Sequence, residues 1–93
     1  MTIIEYNDLV DCLYRGHDVV FLYNGQHYFL ERDEESHNLY KVSKDLALAE
    51  FLQKFYGENL ILRINAFLEN KLFDNKSFNE IYSTISIIDI EWF

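Results

Sequence analysis

Ninety-three residues with no proline, three glycines and one cysteine suffice for one domain, expected over residues 1–93. They exclude a linker-rich or disulfide-built chain. Hydrophobic residues at 49% and aromatics at 17% exclude intrinsic disorder. The net charge of −8 counts against direct contact with nucleic acid or an anionic membrane, and favours a basic partner.

The first segment, Thr2 to Tyr14, reads as a helix. Tyr6, Leu9, Val10 and Leu13 fall at i, i+3, i+4 and i+7, one helical face. The start of the chain lacks a basic region followed by an apolar run, so no signal peptide is expected. Gly16 is placed to end the helix in the left-handed conformation.

Asp18 to Glu31, DVVFLYNGQHYFLE, predicts two strands joined by Asn24-Gly25, since both residues of a type I′ turn need positive φ. A two-residue turn sets Tyr23 opposite Gln26, Phe21 opposite Tyr28 and Val19 opposite Leu30. The other face then carries Val20, Leu22, His27 and Phe29. Both faces are largely apolar, whereas an antiparallel sheet with one wet face alternates cleanly. Each face therefore calls for a cover.

Glu31 to Asn38 is a polar turn in this reading, and Asn38 to Val42 a third strand. Ser43 is expected to cap a helix over Lys44–Tyr56, with Leu48, Phe51, Leu52 and Phe55 as its apolar stripe and Gly57 just past its end. Asn59 to Asn70 reads as another helix, its apolar face Leu60, Ile61, Ile64, Phe67 and Leu68; a strand over Leu60–Ile64 is the competing reading. Asp74-Asn75-Lys76 is a turn. Ser77 with Glu80 three residues on forms a capping box. Ile85 to Trp92 alternates as a final strand, with Ile88, Ile90 and Trp92 on one side and Ile87, Asp89 and Glu91 on the other. The expected fold is α+β: an N-terminal helix, an antiparallel hairpin plus a third strand, two to three helices, and a C-terminal strand joining the same sheet beside the hairpin.

No pattern in the chain carries catalysis. There is no phosphate loop, dinucleotide fingerprint, nucleophile elbow or HExxH, so no catalytic residue and no enzyme is expected. His17, His27 and His37 share no short spacing with one another or with Cys12, and the acidic segment lacks the glycine and ligand spacing of a calcium loop. No metal and no cofactor are expected. Cys12 reads as a partly buried structural thiol. A single cysteine fits a reducing cytosol, hence a cytoplasmic setting, and the longest apolar run falls far below the roughly 18 residues of a membrane helix. What remains is an acidic cluster, Glu31, Asp33, Glu34 and Glu35, open either to a solvated turn or to a basic partner. Asp89 and Glu91 on the last strand join it as candidates. Tyr23 and Tyr28, on one hairpin face, are the aromatic candidates, because tyrosine offers contact area at low entropy cost; the first helix covering that face is the alternative.

Two stretches resemble known sequences. LVDCLYRGHDVVFLYNGQHYFLE carries a short helix, a glycine, an apolar strand and a YNG hairpin. INAFLENKLFDNKSFNEIYSTISIIDIEW carries a helix, a turn, a short capped helix and a final acidic strand. Together they resemble small uncharacterised acidic α+β proteins of Gram-positive bacteria and their phages or mobile elements, a background that includes anti-CRISPR inhibitors and immunity proteins. The resemblance implies a non-catalytic inhibitor of a basic effector, with a CRISPR or toxin nuclease as the natural target, and brings no catalytic residues. The alternative is a structural or regulatory homo-oligomer of a mobile element, possible as a homodimer through the second apolar face. An enzyme with an unmarked carboxylate pair is the third reading.

Overall fold

The computed structural model describes residues 5–91. Helix α1 (Tyr6–Tyr14) leads into strands β1 (Asp18–Tyr23), β2 (Gln26–Arg32), β3 (Ser36–Val42) and β4 (Ala49–Tyr56). Helices α2 (Leu60–Glu69) and α3 (Phe78–Ile81), the latter continued by a 3₁₀ turn, precede β5 (Ser86–Glu91). The strands form one antiparallel sheet in the order β4-β3-β2-β1-β5. The α+β class, the N-terminal helix and the C-terminal strand beside the hairpin are as expected; the Thr2–Ile4 part of the expected first helix and Trp92 of the expected last strand lie outside the described residues.

The hairpin register follows from its turn. Asn24 and Gly25 have φ of 51° and 79°, and Val19, Phe21 and Tyr23 face Leu30, Tyr28 and Gln26. Leu22 stands opposite His27. Helix α1 ends in the Schellman pattern: the Gly16 amide donates to Leu13 O and the His17 amide to Cys12 O. Gly16 has φ +88°, and a Cβ there would collide with the Arg32 guanidinium and come within 2.9 Å of Arg32 Cδ. Gly16→Ala should therefore cost about 1–2 kcal/mol, from left-handed strain and the displaced arginine, read by urea denaturation. A second positive-φ turn, Asp74 at 54° and Asn75 at 64°, closes the Phe73–Lys76 bridge. The Ser77–Glu80 capping box is present.

The helix expected over Lys44–Tyr56 is not there. Ser43 instead organises a turn: its Oγ donates to Asp45 Oδ1 (2.7 Å) and accepts from the Leu48 amide (3.0 Å). The chain then runs on as the edge strand β4, and Gly57 follows a strand rather than a helix. The polar turn is also shorter than expected: Glu31 and Arg32 extend β2, and Ser36 to Asn38 begin β3. Two bulges explain the misleading spacing. In β4 the pairing steps from Leu39–Gln53 to Tyr40–Phe51, leaving Leu52 as the extra residue. In β5 it steps from Val20–Asp89 to Phe21–Ile87, leaving Ile88 extra. The simple alternation expected for β5 thus fails: Ile87 and Ile90 both pack on the core, and Ile88 is exposed. Both edges of the sheet are blunted by these bulges, a common device against strand addition.

One side of the sheet holds the core. Val19, Phe21, Tyr28, Leu30, Leu39, Phe55 and Ile87 meet Leu9 and Leu13 of α1, Ile64, Phe67 and Leu68 of α2, and Phe78 and Ile81 of α3. Phe21 sits at the centre, stacked on Tyr28 at 5.3 Å and edge-on to Phe73 and Phe78; each such aromatic pair adds about 0.5–1.5 kcal/mol to area burial. On α2, Ile61 is exposed despite its place in the predicted stripe, and Arg63 is buried in its stead.

Candidate functional site

Every helix of the described residues puts its buried side chains on the same sheet face, so only one of the two apolar faces receives a helical cover. Alternation and register arrange the other face in three rows. Ala49, Val42, His27, Leu22 and Ser86 form the row nearest the hairpin turn. Phe51, Tyr40, Phe29, Val20 and Asp89 form the middle row. Lys54, Asn38, Glu31 and Asp18 lie beyond, with Glu91 placed opposite Asp18 by its backbone. Phe29 and Tyr40 stack at 6.3 Å, and Tyr40 meets Phe51 edge-on at 5.8 Å. The two valines are buried, the Phe29 and Tyr40 rings half-buried, and Phe51 is 51% exposed.

Of the sequence-predicted carboxylates, Glu31 lies in the end row and the Asp33–Glu35 turn follows it in the chain, whereas Asp89 lies in the middle row. Glu31 is half-buried on β2; burial, then the charges of Asp18 and Asp33, raise its carboxyl above the ordinary range, with Lys54 opposing. Asp18 accepts the Arg32 amide at 2.8 Å, bracing the start of β1 against the end of β2. Asp33, Glu34 and Glu35 form the exposed β2–β3 turn. Asp89 is exposed on β5. Among the described residues, none of Glu31, Asp33, Glu34, Glu35 and Asp89 forms an ion pair; Arg15 pairs instead with Asp11 on α1. Lys54, the nearest lysine in the rows, donates to Asn38 Oδ1 at 3.1 Å and lies 5.9 Å from the Phe51 ring centre.

The acidic turn is held from behind by Arg63. Its Nε donates to Gly57 O, Nη1 to Asp33 O and Nη2 to Glu34 O, at 2.8–3.1 Å. The guanidinium thereby fixes the turn's backbone through its carbonyls, while the Asp33 carboxylate accepts the Glu34 amide at 2.8 Å and the side chains of Asp33, Glu34 and Glu35 stay exposed. Nothing in the sequence marks this residue, because its two partners in the turn lie 30 and 29 positions away. His37, fully buried on β3, lies near Arg63 and Arg32, and neither ring nitrogen has a hydrogen-bond partner.

The aromatic pair lies elsewhere. Tyr28 is in the core, 8% exposed, and Tyr23 is half-buried beside it. Phe73, from the segment after α2, contacts both rings at 5.2 and 6.0 Å, and the Tyr23 hydroxyl donates to Asp74. Phe73, not α1, covers these two rings. The aromatics presented on the helix-free face are Phe29, Tyr40 and Phe51; Phe29 was visible as part of the second apolar hairpin face, while Phe51 was hidden by the helical reading of β4.

Cys12 is half-buried, and burial, then the Asp11 charge, push its thiol up, the reverse of an activated nucleophile. Among the described residues no group of three or more His, Cys, Asp or Glu is arranged to hold a metal ion, and no helix is long and apolar enough to cross a membrane. In comparisons with known proteins, the chain matches no family model, no curated protein and no solved structure.

Proposed function

We propose that this chain is a non-catalytic acidic binding protein that neutralises a basic effector, with a nucleic-acid-binding enzyme such as a CRISPR or toxin nuclease as the natural target. The observation that carries this reading is the set of carboxylates on the helix-free face and the turn beside it, Asp18 and Glu31 in the end row, Asp89 in the middle row and Asp33, Glu34 and Glu35 in the β2–β3 turn; among the described residues five of them, all but Asp18, stand outside any ion pair. A groove built to hold phosphates presents the complementary potential, and opposite charge accelerates encounter. The Arg63 clamp presents part of the acidic end on a fixed backbone, which lowers the ordering cost of association. A cytoplasmic setting and the resemblance to small acidic proteins of mobile elements fit the same reading.

The test is binding to a panel of purified basic nucleic-acid-binding proteins, nucleases included, at low and high salt. Saturable binding that weakens with salt is expected, with none to nucleic acid itself. Charge reversal at Glu34, Glu35 or Asp89 should weaken binding about tenfold, mainly by slowing association. Salt-independent binding, or none across the panel, would sink the proposal. The helix-free aromatic face favours a second reading, a homodimer that buries it; a monomer in sedimentation at high micromolar concentration would remove that reading.

A further inference from the structure

The helix-free face contains a cleft of about 200 Å³ lined by Phe29, Glu31, Tyr40, Val42, Leu46 and Ala49. That volume falls below the roughly 300–1,000 Å³ of a small-molecule site and is suited to a single side chain. Its floor is the stacked Phe29–Tyr40 pair. Its one charged lining residue is Glu31, which has no ion-pair partner among the described residues. One wall is Leu46, a leucine with φ of 63° that is 51% exposed. A branched apolar residue in the left-handed region costs about 1 kcal/mol or more, and exposure recovers little of it. The conformation is nevertheless over-determined: the Leu46 amide donates to Ser43 O, the Ala47 amide to Asp45 Oδ1, and the Leu48 amide to Ser43 Oγ. Backbone strain held in place in this way clusters at ligand-binding segments, and here it sits beside the cleft.

We propose that this cleft anchors one arginine side chain of a basic protein partner, its guanidinium stacked on Phe29 and Tyr40 and paired with the Glu31 carboxylate. The inference rests on the acidic-binder reading and names the group that reading would recognise. Arginine fits better than lysine because a planar guanidinium can stack on a ring and still reach a carboxylate with two donors. A second copy of this chain fits worse, since it would bring its own net charge of −8 to a face that is already acidic.

The experiment needs no identified partner. A blocked Gly-Arg-Gly peptide is titrated into the intact protein and followed by NMR at the Leu46 methyls and the Tyr40 ring, beside the same peptide carrying citrulline, the neutral isostere. Saturable shifts with the arginine peptide alone are expected, on the order of millimolar affinity for so small a ligand. Glu31→Gln should weaken binding at least fivefold. Leu46→Gly should weaken it several-fold while leaving Tm unchanged or higher, the opposite of what loss of a structural residue does. Equal shifts with citrulline, or shifts confined to Asp33–Glu35, would overturn the cleft. If the basic-protein panel still shows salt-dependent binding in that case, the acidic-binder reading stands without it; if the panel is also silent, both fall. A dimer that buries Tyr40 and dissociates on Tyr40→Ser would also overturn the cleft, by filling it with a second copy.

Discussion

Arg63→Leu should destabilise the fold by about 3–5 kcal/mol, a large part of the roughly 5–15 kcal/mol that holds a domain of this size together. Arg63 is 7% exposed, and its guanidinium donates to three backbone carbonyls that belong to two different segments. Leucine retains much of the stem's packing but leaves those carbonyls without a donor, at about 1–3 kcal/mol for each one that stays buried. Lysine can place only one ammonium where arginine spreads a planar fork, so Arg63→Lys should recover less than half of the loss. Urea denaturation measures the total; a loss below about 1 kcal/mol would mean that water replaces the clamp without penalty. Hydrogen exchange locates it: the Asp33 amide, bonded to Ser36 O, should lose protection before the core strands do. The same variant separates charge from shape in the proposed function. It makes the protein more acidic, so binding by net charge alone would improve, whereas binding to a fixed acidic turn should weaken.

What could be read in advance, and what could not, divides along the range of the interactions. The hairpin was legible down to its register because Asn24-Gly25 sets the pairing locally and every opposed pair follows by counting. The Ser77–Glu80 box and the Gly16 helix end were legible for the same reason, since donor and acceptor lie within a few residues. β4 was not. Its bulge at Leu52 turns a period of two into a step of three, so Leu52 and Phe55 both reach the core while Phe51 and Lys54 lie on the other face. Leu48, Phe51, Leu52 and Phe55 then satisfy the helical spacing by coincidence, and Ser43 strengthens it by doing for a turn what an N-cap does for a helix. The Ile88 bulge disrupts β5 in the same way. The acidic end was legible as a cluster, because Glu31 to Glu35 are neighbours in sequence. Its presentation was not, because that depends on Arg63 from α2, and no local pattern announces a contact 29 or 30 residues long.

Lowering the pH from 7.5 towards 4 should cost about 3 kcal/mol of stability through His37 alone. The imidazole is fully buried, and burial, with the Arg63 and Arg32 charges, pushes its pKa from 6.5 down to about 4. In the unfolded chain it titrates near 6.5. Between these values the unfolded state binds a proton that the folded state refuses. Stability from this residue is therefore complete above about pH 6.5 and falls steadily until about pH 4, where the folded imidazole is protonated as well. By pH 5 roughly 2 kcal/mol should be gone. Carboxylates add their own slopes in the same range, with Glu31 raised and Asp45 and Glu80 lowered, so the measurement is a difference. Chemical denaturation of the native chain and of His37→Leu, from pH 7.5 to 5, cancels the shared groups. The variant should show a slope shallower by the His37 contribution. At pH 7.5 it should match or exceed the native chain, because leucine removes two buried nitrogens that have no hydrogen-bond partner and a buried polar atom without a partner is a cost, not a support. Parallel curves would mean that His37 is hydrated or protonated in the folded protein. That would place a charge beside the guanidinium that orders the acidic turn, and the turn would then weaken with acid before the core does.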